Sequence, residues 1–219
     1  MHELSANPSP TAQPGPAPAA RGSAKRRRRI VLVLLGLCVL SGALTYIWWD
    51  TRRDRIRTIS EGRVYQSGEF APDKLREEVR RLGIRTVIDL REPPEAAQRE
   101  RQALATTGVR YVNLPTAWEP KPGSIDRFVE MMRDPAVYPV LIHCKHGTGR
   151  SVLFSAIYRV EFEGWDNERA RMATRSPLRW LMPGGSFAVD APKGKILLGY
   201  VRHGPAPATV PAAAVPAAR

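Results

Sequence analysis

The chain is poor in the residues that usually announce chemistry. Its 219 residues include two cysteines and four histidines. Two cysteines exclude a disulfide framework, and they form no CxxC pair for zinc or redox work. Four scattered histidines supply too few ligands for a mixed Cys/His zinc centre. No metal and no cofactor is therefore expected. Internal repeats are absent. Acids are scarce too: 21 Asp and Glu stand against 34 Lys and Arg, a formal net charge of +13. The imbalance is uneven. Residues 1–60 hold ten basic and three acidic groups, leaving 24 and 18 for residues 61–219. Much of the basic excess thus belongs to the N-terminal segment rather than to a basic folded face interleaved with aromatics. Nucleic acid is not expected as a partner. What is present is enough apolar material, 43% of residues, to build a core.

Residues 1–24 are rich in Pro, Ala and Ser and read as a disordered tail. The basic run KRRRR (25–29) precedes twenty uncharged residues, IVLVLLGLCVLSGALTYIWW (30–49). At about 1.5 Å per helical residue this run can cross a hydrocarbon layer about 30 Å thick. Tyr46, Trp48 and Trp49 cluster at its far end, where aromatic rings favour the membrane interface. A buried core helix fits poorly, because nothing interrupts the apolar run. A cleaved signal peptide, with Ser41 and Ala43 at the cleavage site, is the competing reading. The expectation is a single-pass anchor through residues 30–49. The basic excess before the span puts the N-terminus in the cytoplasm and the following domain on the far side of the membrane. Residues 50–60 read as a linker, 61–202 as the folded domain and 203–219 as a Pro/Ala-rich disordered tail.

Within 61–202, strand and helix patterns alternate. GRVYQSG suggests a strand entering a turn. Pro72 suits a first helical turn, with Leu75, Val79 and Leu82 on one face and Gly83 as the stop. IRTVIDL (84–90) reads as a buried strand, residues 94–107 as a helix closed by Gly108, and VRYVNL (109–114) as a strand. Ser124 is a candidate cap for a helix carrying Ile125, Phe128, Val129 and Met132. VYPVLI (137–142) is the next strand, irregular at Pro139. VLFSAIYRV (152–160) suits a buried central helix, and a further helix falls within GWDNERARMATR. The fold class is α/β: a single domain with a central, mostly parallel sheet flanked by helices, preceded by one transmembrane helix.

The most informative stretch is HCKHGTGRS (143–151), between a predicted strand and a predicted helix. Loops leaving the carboxyl ends of parallel strands build sites in such folds. This one feeds a helix N-terminus, where unpaired N–H groups favour an anion. Gly147 and Gly149 permit the backbone angles that turn N–H groups inward. With Lys145, His146 and Thr148 they form a candidate phosphate cradle. Arg150 adds a planar fork for two phosphate oxygens. The same field favours the Cys144 thiolate, the form that attacks. One loop thus binds a dianion and activates a nucleophile. The chemistry that needs both is phosphoryl transfer through a phosphocysteine. Ser151 is placed to hydrogen-bond the Cys144 sulfur, His143 to orient the loop.

This stretch resembles the Cys-x5-Arg signature of the protein tyrosine and dual-specificity phosphatases. Cys144 and Arg150 take the nucleophile and phosphate-binding positions, and Ser151 the hydroxyl position that follows. YQSGEF, GIRTVIDLRE, GVRYVNLP, YPVLIHCKHGTGRS and AIYRVEFEGWDNERA resemble successive landmarks of the small bacterial dual-specificity-like group, over about residues 62–180. The resemblance implies a hydrolase of phosphorylated protein, or of a lipid or inositol phosphate by the same mechanism. A catalytically weak phosphate-binding module is the rival reading. The family usually carries an aspartate general acid on a loop before the cysteine, but the corresponding loop here, PTAWEPKPGS, has no Asp. Glu119 is its only carboxylate and the first candidate acid; Asp126, just beyond, is the second. Asp89 ends a strand and either pairs with Arg91 or lines the cleft.

Overall fold

The computed structural model describes residues 21–51, 56–92, 94–174 and 187–204. Of the tails expected at 1–24 and 203–219, residues 1–20 and 205–219 lie outside the described residues. The chain divides into two compact units, Met1–Tyr46 and Ile47–Arg219. The first is dominated by helix α1 (Arg21–Thr51), which begins inside the stretch expected as tail. The most apolar 18 residues within Lys25–Trp48 have a mean hydropathy of 2.5, and the apolar side chains of α1 stand exposed along its length. By length and composition it suits a span or a signal sequence.

The second unit is a five-stranded sheet flanked by helices. In chain order come β1 (Arg57–Ser60), β2 (Val64–Ser67), α2 (Pro72–Arg81), β3 (Thr86–Asp89), α3 (Pro94–Leu104), β4 (Arg110–Asn113), α4 (Pro122–Arg133), β5 (Val140–His143), α5 (Arg150–Phe162), α6 (Asn167–Met172) and α7 (Pro192–Leu198). The sheet order is β1-β2-β5-β3-β4. β1 is antiparallel to β2 and all other pairings are parallel. The mostly parallel sheet expected from the alternation is therefore present.

Side-chain alternation along the strands divides the core. Val64, Ile88, Val140 and Ile142 face one cluster, with Phe128 and Met132 of α4, Leu153 and Ile157 of α5, and Leu197 of α7. Tyr65, Val87 and Leu141 face the other, with Leu75 and Val79 of α2 and Leu104 of α3. α5 is buried almost all round, as its apolar sequence requires. α2 starts at Pro72 and ends at Gly83, whose φ of +61° closes the last turn.

Three expectations need correction. Residues 57–60 are not linker but the edge strand β1, turned into β2 at Gly62 (φ +66°). RTIS is short and largely polar, so it carries no strand signal of its own. α4 is not capped by Ser124: it begins at Pro122, with Lys121 in the cap position and no side-chain cap bond. Proline presets the helical φ and lacks the N–H that would need a cap. α3 ends at Leu104, short of the expected 107. Pro139 follows a cis peptide bond, and β5 starts only at Val140.

Register positions the site. Ser67 lies opposite His143, His143 opposite Asp89, and Asp89 opposite Asn113. Four parallel strands end level, so the loops after them converge at one edge of the sheet.

Candidate active site

The loop 144–149 leaves the central strand β5 and enters α5 with Gly149 in the cap position. Cys144 is buried, its residue 3% exposed. Burial alone would push its thiol up. The Ser151 hydroxyl and the backbone N–H groups of Ser151, Gly147 and His146 outweigh burial and hold the thiol below its usual range. The Ser151 Oγ lies 3.3 Å from the Cys144 sulfur. Gly147 adopts φ +67°, and a Cβ there would lie 2.5 Å from the Gly68 nitrogen. Only glycine fits this approach of the Cys144 loop to the β2–α2 turn. Glu69 N–H donates to Lys145 O across the same approach (3.3 Å).

Arg150 is tethered through one nitrogen. Its Nη1 donates to Leu90 O (2.9 Å) and Thr116 O (2.6 Å), the loops after β3 and β4. Nε and Nη2 have no partner among the described residues, which leaves that side of the fork for an anion. Lys145 and His146 are exposed. The part of His146 that faces the sulfur is its backbone N–H, not its ring. Thr148 is half-buried, with no side-chain hydrogen bond among the described residues.

Behind the loop, His143 is almost fully buried and its Nε2 lies 3.1 Å from Glu100 Oε2 and 3.8 Å from Asp89 Oδ1. Burial opposes the charged ring, but Glu100 and Asp89 raise its pKa against burial and Arg91. Arg91 Nη2 reaches Asp89 Oδ2 (2.8 Å) and Glu100 Oε1 (2.8 Å), and Nη1 reaches Glu69 (2.7 Å). Tyr111 Oη donates to Asp89 Oδ2 (2.6 Å). Burial raises the Asp89 pKa, and Arg91, His143 and Tyr111 more than reverse it. Asp89, Glu100 and His143 have the spacing of a metal cluster, yet Arg91 already pairs with both carboxylates. The network braces the His143 end of β5, as the Asp89–Arg91 pairing expected from the sequence suggested.

A family model described as a dual-specificity-type protein tyrosine phosphatase fused to NAD+ kinase matches residues 45–180. The chain belongs to this phosphatase family. A curated relative, the dual specificity protein phosphatase TpbA of Pseudomonas aeruginosa strain UCBPP-PA14, is 32% identical over 94 residues. The match covers 42% of this chain and 41% of TpbA, so the chain spans about two fifths of its relative's length. The catalytic core of the PP-IP phosphatase SIW14 from S. cerevisiae superposes with TM-score 0.54 at 19% identity, over 67% of this chain and 85% of that one. Tk-PTP, in a mutant form, gives 0.51 at 24% identity, over 67% and 93%. These two likenesses show that the phosphatase fold is shared.

Of the two carboxylates expected as general acids, Glu119 stands exposed on the β4–α4 loop, within electrostatic reach of Lys193, which in turn senses Cys144 and Arg150. Asp126 is engaged elsewhere. Its Oδ1 lies 3.1 Å from His203 Nε2, and the other ring nitrogen of His203 lies 2.9 Å from Tyr200 Oη. Among the described residues no contact joins Asp126 to the phosphatase loop. Sequence reasoning missed Gln66, which is buried and donates through Nε2 to Gly147 O (2.9 Å), Ser151 Oγ (2.9 Å) and Ser67 O (3.2 Å). Its signal was available: a wholly polar amide inside a strand that is otherwise buried. Lys193 was missed as well, and no local pattern announces it.

Proposed function

We propose that the protein is a membrane-anchored, cysteine-dependent phosphatase acting on phosphomonoesters, with phosphorylated protein as the favoured substrate. The observation that carries the reading is the Cys144 sulfur, buried beneath three converging N–H groups and next to a half-tethered Arg150. Family membership supports it, and the likeness to TpbA, a dual specificity protein phosphatase, supports the protein substrate. The Cys144 thiolate attacks phosphorus, and the ester P–O bond breaks as Glu119 gives its proton to the departing oxygen. Water then attacks the phosphocysteine and yields a proton to the Glu119 carboxylate. The P–S bond breaks, and inorganic phosphate leaves as the thiolate returns under the Ser151 hydroxyl. Arg150 and the loop amides hold the phosphoryl oxygens in both steps. Helix α1 supports a single-pass anchor by its length and composition, and the basic run 25–29 before it favours a cytoplasmic N-terminus, with the catalytic unit outside the inner membrane.

The test is hydrolysis of aryl phosphates of graded leaving-group pKa by the full chain. Cys144→Ser should abolish turnover, and chelators should leave the wild type unaffected. Glu119→Gln should slow poor leaving groups far more than good ones, by roughly 10²-fold or more. Equal turnover by the serine variant rejects the nucleophile, and a leaving-group-independent effect rejects Glu119 as acid.

A further inference from the structure

One buried charge is left unexplained by the fold and by the chemistry above. Lys193, at the start of α7, is 1% exposed. Its ammonium nevertheless has no hydrogen bond and no carboxylate at ion-pair distance among the described residues. Its close partner is the ring of Trp118, whose centroid lies 3.4 Å from Nζ. Trp118 itself is 62% exposed, so it is an outer wall rather than a core residue. A Cβ built on Gly149 would meet Lys193 Cε at 3.6 Å and Trp118 Cζ3 at 3.9 Å. The two side chains therefore stack over the last residue of the Cys144 loop, beside Arg150.

An ammonium removed from water without an anion is costly, and an aromatic face returns only part of that cost. Burial pushes the Lys193 ammonium down and Arg150 adds to this, while Glu119 and the Cys144 sulfur draw it up. Lys193 and Arg150 are thus two cations within electrostatic reach of each other beside the Cys144 loop. A phosphoryl dianion there would satisfy both, together with the unpaired nitrogens of Arg150.

We propose that Lys193 is a substrate-binding residue that contacts the phosphoryl oxygens alongside Arg150, with Trp118 as the platform holding its ammonium over Gly149. The segment 187–204 thereby belongs to the active site. This rests on the phosphatase reading and adds to it a second phosphate-binding cation, brought from outside the Cys-x5-Arg stretch.

The experiment compares full-length wild type with Lys193→Met and Lys193→Arg. Methionine keeps the stem that packs against Gly149 and loses the charge. Two quantities are read: KM against kcat for an aryl phosphate, and the inhibition constant of inorganic phosphate. Lys193→Met should raise both KM and the phosphate constant about tenfold or more, as expected for one charge-assisted hydrogen bond, with a smaller change in kcat. Lys193→Arg should recover part of the loss, which a merely packing role would not require. A methionine variant whose phosphate constant stays within about twofold of wild type overturns the proposal. Should that variant fail to fold, Trp118→Leu removes the platform alone; it should weaken phosphate severalfold, and unchanged affinity likewise overturns the proposal. Were wild type to show no turnover, calorimetric binding of inorganic phosphate to the same variants would still decide the role of Lys193, separately from the phosphatase reading.

Discussion

Ser151 has one proton and two acceptors for it. Its Oγ lies 3.2 Å from Ser67 O and 3.3 Å from the Cys144 sulfur, while Gln66 Nε2 donates to it from 2.9 Å. The amide occupies a hydroxyl lone pair, so the proton is left to choose between carbonyl and sulfur. A thiolate is the stronger acceptor, since charge-assisted hydrogen bonds exceed neutral ones. Ser151→Ala should therefore raise the Cys144 pKa, and the sign follows from the loss of a bond to the charged form. Alkylation by iodoacetamide reads the thiolate directly. At neutral pH the variant should react roughly tenfold more slowly, with its pH profile displaced to the alkaline side. Coincident profiles would mean that the hydroxyl bonds Ser67 instead. At this scale the sequence was legible where partners are local: Cys144, Arg150 and Ser151 share one loop and one helix turn. Gln66, Glu100 and Lys193 were not, because each reaches the site from a different element. Nothing in a linear pattern says which polar residue a sheet register will bring to a strand end.

Elements explain why the loop keeps its shape. β2, β3 and β5 are buried throughout and end level, so the turns after them must share a small volume. Gly147 and Gly68 pass back to back within that volume. Gly147→Ala should fail twice: a left-handed φ costs a side-chain-bearing residue about 1–3 kcal/mol, and the new methyl would meet backbone that cannot yield. Urea unfolding should show a loss of at least that size, and phosphate affinity should fall with it. Gly149→Ala is the contrast. Its φ of −126° lies outside the left-handed region, and an added Cβ meets only side-chain atoms at 3.6 Å and beyond. Its stability loss should be smaller than that of Gly147→Ala. If Gly147→Ala unfolds at the wild-type urea concentration, the close approach is not what fixes the loop. The alternation of strands and helices was readable because each element carries its own periodicity. Edge strand β1 and the start of α4 were not, since a short polar strand is fixed by its pairing partner and Pro122 needs no capping side chain.

The whole molecule joins a sheet unit whose core is drawn from residues 56–200 to helix α1, whose apolar side chains stand exposed. The twenty uncharged residues 30–49 would extend about 30 Å as a helix, enough to cross a bilayer's hydrocarbon layer of about 30 Å. In the anchor reading their exposed apolar side chains, Val31 and Leu35 among them, would be solvated by lipid rather than left facing water. The anchor reading predicts that the full chain, expressed in a bacterium, stays in the membrane fraction through alkaline carbonate washing, with its N-terminus intact by mass spectrometry. A signal sequence predicts a shortened chain in the soluble fraction, and that result would remove the anchor. Since neither sheet-facing cluster includes a described residue before Ile56, a chain beginning at residue 52 should fold, remain soluble and keep kcat/KM toward a soluble aryl phosphate within about twofold. On substrate embedded in vesicles the same truncation should lose activity, because the full chain meets its target at the raised local concentration of a shared surface while the truncated one must find it by diffusion.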